Sequence, residues 1–184
     1  LNSAIKYGGG VAMSASGQIK IESSTFTSNV AYNGGAISII PNGFGEMREA
    51  TDEEEEEARQ KMTLKTTTFI SNKATNWISS AETLTIRRND GGAVFLYETN
   101  AVIENCYFND QSAKRYGGAL FAEMSLVKMK NSEFISNKID GTSSGGGGGL
   151  ACLSADFEIE NINVTSNNVN DVSNGGGGWF TFCK

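Results

Sequence analysis

The sequence predicts an all-β chain, a right-handed parallel β-helix (solenoid) of about five to six coils carrying two inserted loops. Three observations predict it. The first is a recurring glycine pair followed by small and branched apolar residues: Gly9-Gly10-Val11, Gly34-Gly35-Ala36-Ile37, Gly91-Gly92-Ala93-Val94, Gly117-Gly118-Ala119-Leu120 and Gly147-Gly148-Gly149-Leu150, with a last copy within residues 175–178. The second is a Phe-x-x-Asn turn, seen as Phe26 with Asn29, Phe69 with Asn72 and Phe134 with Asn137, and varied as Phe108 with Gln111 and Val164 with Asn167. The third is their constant offset: the step from the first glycine to the Phe or Val is the same from Gly9 to Phe26, Gly91 to Phe108, Gly117 to Phe134 and Gly147 to Val164.

Two alternations of apolar residues fill the space between these anchors. After the glycines come Ile37/Ile39, Val94/Leu96, Leu120/Ala122 and Leu150/Cys152; then come Ile19/Ile21, Met62/Leu64, Ala101/Ile103, Val127/Met129 and Phe157/Ile159. A period of two marks a half-buried strand, so each repeat, roughly 25 to 30 residues long, holds two or three short strands. One repeat cannot close a core by itself, because its inward side chains find partners only in the repeats above and below. Stacked at ~4.8 Å, like positions superpose. Phe26, Phe69, Phe108 and Phe134 are then expected to form an internal aromatic column, and Asn29, Asn72, Asn137 and Asn167 a ladder of turn amides. The glycine pairs suit a sharp turn that needs positive φ and lies against identical turns. A leucine-rich repeat shares the period but not the motif, and an antiparallel sandwich would not demand the same residue types at the same offsets.

These paired motifs, Gly-Gly-Ala-[Ile/Leu/Val] alternating with Phe-x-x-Asn, resemble the repeat of the polymorphic outer membrane protein family over nearly the whole chain. The resemblance implies a β-helical passenger of the kind found in chlamydial surface adhesins and in large surface proteins of protists. The chain departs from a plain passenger in having no β-barrel translocator sequence within it. The interval from Gly34 to Gly91 is also more than twice that from Gly91 to Gly117, which leaves room for two coils, one of them degenerate.

Composition narrows the function classes. The 184 residues suit one domain, 1–184, read as part of a longer chain. A net charge of −6, no histidine and scattered basic residues argue against nucleic acid as a partner. No apolar run reaches the ~18–20 residues of a membrane-spanning helix, and Leu1 opens the chain without signal-peptide features. Neither end reads as a natural end of the stack, so end-to-end association or further coils are expected. Cys106, Cys152 and Cys183 fit no thiolate metal pattern; Cys106 and Cys152 read as core residues, with a Cys152–Cys183 bridge as the other reading.

Two insertions stand out, at residues 41–61 and 75–90. The first reads as a short acidic helix, with Thr51 and Glu54 as a capping box and Glu55/Arg59 and Glu57/Lys61 as i,i+4 pairs; a solvated loop is favoured over a cation or basic-partner site. The second holds Trp77 and Arg87-Arg88, which suit either pinning of the loop or a contact with glycan or an acidic partner. Asn163-Val164-Thr165 is a glycosylation sequon, meaningful in a secreted protein. The glycine runs at 145–149 and 175–178 lack the Gly-Lys-Ser/Thr of a phosphate loop and read as stacked turns.

Some parallel β-helices degrade polysaccharides, which makes a lyase or glycoside hydrolase the alternative class. Such chemistry needs two convergent carboxylates or a base with neutralising cations. Asp90, Glu104, Asp110 and Asp156 are the available acids near turns, and they recur in no common pattern. The expectation is therefore a non-enzymatic structural or adhesive segment of an extracellular surface, coat or filament protein. No cofactor and no metal are expected, and the partners are other proteins, further copies or a glycan.

Overall fold

The computed structural model describes residues 2–4, 7–14, 17–40, 60–75, 90–141, 145–170 and 174–184. Residues 41–59 of the acidic helix expected within 41–61 lie outside the described residues, as do Trp77, Arg87 and Arg88, whereas Gln60 and Lys61, read as the end of that insertion, open a strand, Gln60–Lys65. Among the described residues all regular structure is β-strand and every strand pairing is parallel.

The strands follow one another cyclically. The first repeat comprises β1 (Val11–Met13), β2 (Gln18–Glu22), β3 (Thr25–Thr27) and β4 (Val30–Ala31). The second comprises β5 (Ile37–Ile39), β6 (Gln60–Lys65), β7 (Thr68–Ile70) and β8 (Lys73–Ala74). The third comprises β9 (Val94–Tyr97), β10 (Thr99–Glu104), β11 (Tyr107–Asn109) and β12 (Ser112–Ala113). In the fourth, β13 (Leu120–Glu123) leads to one long strand, β14 (Leu126–Ile135), and then to β15 (Lys138–Ile139). The fifth has β16 (Leu150–Leu153) and the equally long β17 (Asp156–Thr165), and β18 (Gly178–Thr181) opens a sixth.

Equivalent strands of successive repeats pair directly, which yields three parallel sheets. The strand after the glycine turn builds a six-stranded sheet, β1-β5-β9-β13-β16-β18. The next two build an eight-stranded sheet in which β14 joins the β2-β6-β10 ribbon to the β3-β7-β11 ribbon and β17 pairs with β14. The short strands β4, β8, β12 and β15 make a four-stranded sheet. One core lies between the first two sheets: Ile37, Val94 and Leu120 meet Met62, Ile103, Val127 and the Phe column. Ala74, Ala113 and Ile139 form a smaller cluster under the four-stranded sheet. Parallel sheets need both faces managed, and here the inward face is the apolar one at every second residue.

The pairing corrects two readings of the sequence. Val11 pairs with Ile37, so Gly8 and not Gly9 is the counterpart of Gly34. Backbone conformation agrees: Gly8, Gly34, Gly91, Gly117, Gly147 and Gly175 all have positive φ, between 47° and 73°. Gly9, in the second position, has the role of Gly35, Gly92, Gly118 and Gly148, while Gly10 takes the place of Ala36. The reason is steric. A Cβ on Gly117 would run into the carbonyl oxygen of Leu120, and one on Gly118 into that of Gly148 in the next repeat. The second correction concerns residues 34–91. Because β5 pairs directly with β9, and β6 with both β2 and β10, this long interval is a single repeat and not two.

Candidate functional site

The polar residues of the repeat are arranged first of all toward one another. Asn29 donates from its backbone N–H and its Nδ2 to Oδ1 of Asn72, at 2.9 Å each. Asn72 donates likewise to Oε1 of Gln111, the Gln111 N–H donates to Oδ1 of Asn137, and Asn137 donates to Oδ1 of Asn167. The amide nitrogens also reach back: Asn72, Gln111, Asn137 and Asn167 donate to the carbonyls of Phe26, Phe69, Phe108 and Phe134 in the preceding repeats. Asn2 extends the ladder by donating to Asn29. Each amide thus bridges two turns, and the residue before it (Ser28, Ser71, Asp110, Ser136, Ser166) has a left-handed φ of 52° to 56°. The ladder expected from the sequence holds four of these rungs and leaves out Asn2 and Gln111; Gln111 stands at the recognised turn position and offers the same amide chemistry one methylene further out.

Beneath the ladder the rings stack. Centroid separations are 5.2 Å for Phe26–Phe69, 4.6 Å for Phe69–Phe108 and 4.5 Å for Phe108–Phe134, with interplanar angles of 9°, 1° and 6°. Val164 continues the column opposite Phe134. At another bend Thr67, Cys106 and Ser132 form a third column, each bonded to the carbonyl two residues earlier. Burial pushes the Cys106 thiol up, against the smaller downward pull of its backbone contacts with Thr67 and Glu104. Cys152 and Cys183 are bridged, tying β16 to the residues after β18.

The four acids considered for catalysis do not converge. Asp90 is fully buried; Arg115 donates to it from Nε and Nη2 at 3.2 and 2.8 Å, and the Tyr116 N–H donates to it at 3.1 Å. Burial lowers the Arg115 pKa, but the hydrogen bond and charge of Asp90 outweigh it and raise the value on balance. Glu104 pairs with Lys65 at 2.9 Å, Asp110 accepts from the Ser71 hydroxyl at 2.9 Å, and Asp156 is exposed at the start of β17. Among the described residues no group of three or more Cys, Asp or Glu is placed to hold a metal ion. Asn163 is exposed on β17, opposite Glu133, with the Thr165 hydroxyl donating to its Oδ1.

The outward face of the eight-stranded sheet carries charge in columns. Glu22, Lys65, Glu104, Lys130 and Glu160 lie opposite one another on successive strands and alternate in sign. Lys65 bonds Glu104 and Lys130 bonds Glu160, both at 2.9 Å, and each carboxylate raises its lysine by hydrogen bond first and charge second. Two residues earlier the pattern changes. Lys20, Thr63, Val102 and Lys128 form one column, and Gln18, Lys61, Asn100 and Leu126 the next. These side chains line a shallow hollow of about 330 Å³ whose only charged groups are the three lysines. Because the intervals between Lys20, Lys61 and Lys128 are irregular along the chain, spacing alone hides this patch.

Comparison with protein-family models, with curated proteins and with solved structures found no match to this chain. Among the described residues no helix is long and apolar enough to cross a membrane.

Proposed function

We propose that the three parallel sheets are the faces of one right-handed parallel β-helix, and that this stack is a non-enzymatic section of an extracellular adhesion, coat or filament protein with repeats of the polymorphic outer membrane protein type. The observation that carries this reading is the amide ladder. From Asn29 to Asn167 every rung bonds to its neighbours, so the most regular polar chemistry of the repeat serves stacking. The Cys152–Cys183 bridge favours an oxidising compartment, as expected at a cell surface. The exposed sequon at Asn163 suits the same location.

The experiment is surface labelling of intact source cells with an antibody to this segment, coupled to depolymerisation assays on pectin, alginate and chitin. Labelling without permeabilisation and no release of oligosaccharide is the expected result. Release of oligosaccharide at enzymatic rates, abolished by Asp156→Asn or Glu104→Gln, would instead establish the lyase or hydrolase class.

A further inference from the structure

We infer that Asn163 is the attachment point of an N-linked glycan, carried on the outward face of β17. The inference rests on the extracellular reading above, because the acceptor triplet is read only in chains that leave the cytoplasm. That triplet is Asn163-Val164-Thr165, whose middle residue is not proline. Residues two apart on a strand share a face: Asn163 and Thr165 are both exposed on the outward one, while Val164 between them continues the Phe column. The Thr165 hydroxyl donates to Oδ1 of Asn163, which joins the two ends of the triplet and leaves Nδ2, the atom to be modified, without a partner among the described residues. The Cys152–Cys183 bridge favours, independently, the oxidising compartments in which such transfer occurs.

The fold also explains why the site falls here and not at another asparagine. In the amide ladder Asn29, Asn72, Asn137 and Asn167 commit their amide groups to neighbouring turns. The residue two positions beyond each rung is Ala31, Ala74, Ile139 or Val169. Ala74, Ile139 and Val169 pack in the apolar cluster under the four-stranded sheet, so packing keeps a hydroxyl out of that position and the rungs are not acceptors. Asn163, in contrast, stands where the side chain leaves the sheet at right angles, and its exposure does not depend on what pairs along the edge of β17. Glu133 demonstrates this: it holds the same position on β14, has β11 on one side and β17 on the other, and is exposed. In the transfer, Nδ2 of Asn163 bonds to the anomeric carbon of a sugar held as its polyprenyl diphosphate. The bond from that carbon to the diphosphate oxygen breaks, the lipid diphosphate leaves, and one Nδ2 proton passes to a base of the transferase. Bulky and hydrated, the glycan keeps this part of the eight-stranded sheet facing water.

The test is peptide mapping of the protein recovered from the surface of its source cells, before and after release of N-glycans with peptide N-glycosidase in heavy-oxygen water. The expected result is a glycan on the peptide carrying Asn163, which the enzyme converts to an isotopically labelled aspartate. Of variants expressed in the same cells, Asn163→Gln and Thr165→Ala lose the glycan completely, whereas Thr165→Ser, which keeps the hydroxyl, retains it. Thr165→Ala leaves the asparagine in place, so it separates modification through the triplet from any other change at residue 163. The wild-type map is decisive without the variants: an unmodified Asn163 in protein taken from the cell surface overturns this inference and leaves the extracellular reading standing. A glycan that survives in Thr165→Ala overturns it as well. Absence of the protein from the cell surface overturns the reading beneath it and the inference together.

Discussion

Phe108 is fully buried between two parallel rings, so Phe108→Ala removes contacts on both faces and leaves a cavity the neighbouring repeats cannot fill. The expected cost is ~3–5 kcal/mol by chemical denaturation, and a loss below about 1 kcal/mol would mean the column does not bear on stability. Phe26, stacked on one side and partly exposed, should cost less. Asn137→Ala orphans the buried Gln111 N–H, worth about 1–3 kcal/mol, and removes the side-chain hydrogen bond to the Phe108 carbonyl, and hydrogen exchange at the Gln111 amide should accelerate with it. The Cys106 thiol offers a pH readout. Its folded pKa is raised above the ordinary 9.0, so its contribution is complete below pH 9 and is lost as pH rises toward the folded value, because only the unfolded thiol ionises freely. The stability difference between wild type and Cys106→Ser should therefore narrow above pH 9; a difference flat from pH 7 to 10 would contradict it. The Phe and turn-amide columns were legible in the sequence because fixed spacing puts like residues at one height, whereas the Thr67, Cys106 and Ser132 column, built from three residue types, was not. The frame of the first glycine turn was not, since Gly8-Gly9-Gly10 fits two frames and only the left-handed φ at Gly8 selects one.

Among the elements, the glycine turn and the long strands show how one repeat tolerates variation. β14 and β17 each run ten residues where earlier repeats have two strands, yet the bend persists as left-handed φ at Asn131 and Asn161, linked by a side-chain hydrogen bond of 2.8 Å. The sequence showed the strand alternations but not this continuity, because the bend is a matter of a single φ and Asn131 carries no distinctive neighbour. The second glycine of each pair admits no such latitude. Gly118→Ala sets a methyl group against the backbone of Lys138, at the end of its own repeat, and of Gly148, in the next, so it should destabilise by more than about 1 kcal/mol even though alanine restricts the unfolded chain. Gly177→Ala, where the added carbon meets only a side-chain atom, Cγ1 of Val164 at 3.1 Å, is the contrasting variant and should cost less by thermal melting.

Across the whole molecule, stability should vary with position along the stack, as in other repeat proteins. Phe69, Phe108 and Phe134 are fully buried, whereas Ile159 is 48% and Phe182 85% exposed. Amide exchange is therefore expected to be slowest in β10 and β11 and fastest in β17 and β18. The Cys152–Cys183 bridge should hold the last strand in place, so reduction should speed exchange within Gly178–Thr181 and leave β10 unchanged. Uniform exchange from β1 to β18 would show the stack to be one cooperative unit instead. The lysine hollow belongs to this scale too: it exists only in the register of β2, β6, β10 and β14, which insertions of unequal length conceal in the linear sequence.

The direct pairing of β5 with β9 across the long interval from Gly34 to Gly91 means that chain length and height are independent quantities. Each repeat adds one strand spacing, whether the chain takes the short path from Gly91 to Gly117 or the path from Gly34 to Gly91 that is more than twice as long. Along each sheet the distance between equivalent strands is thus set by their pairing and not by the length of chain that joins them. The insertion between Gly34 and Gly91 leaves the strands on either side in register, and removing residues 91–116 as a block should bring the flanking strands about 4.8 Å closer and leave the remaining register intact.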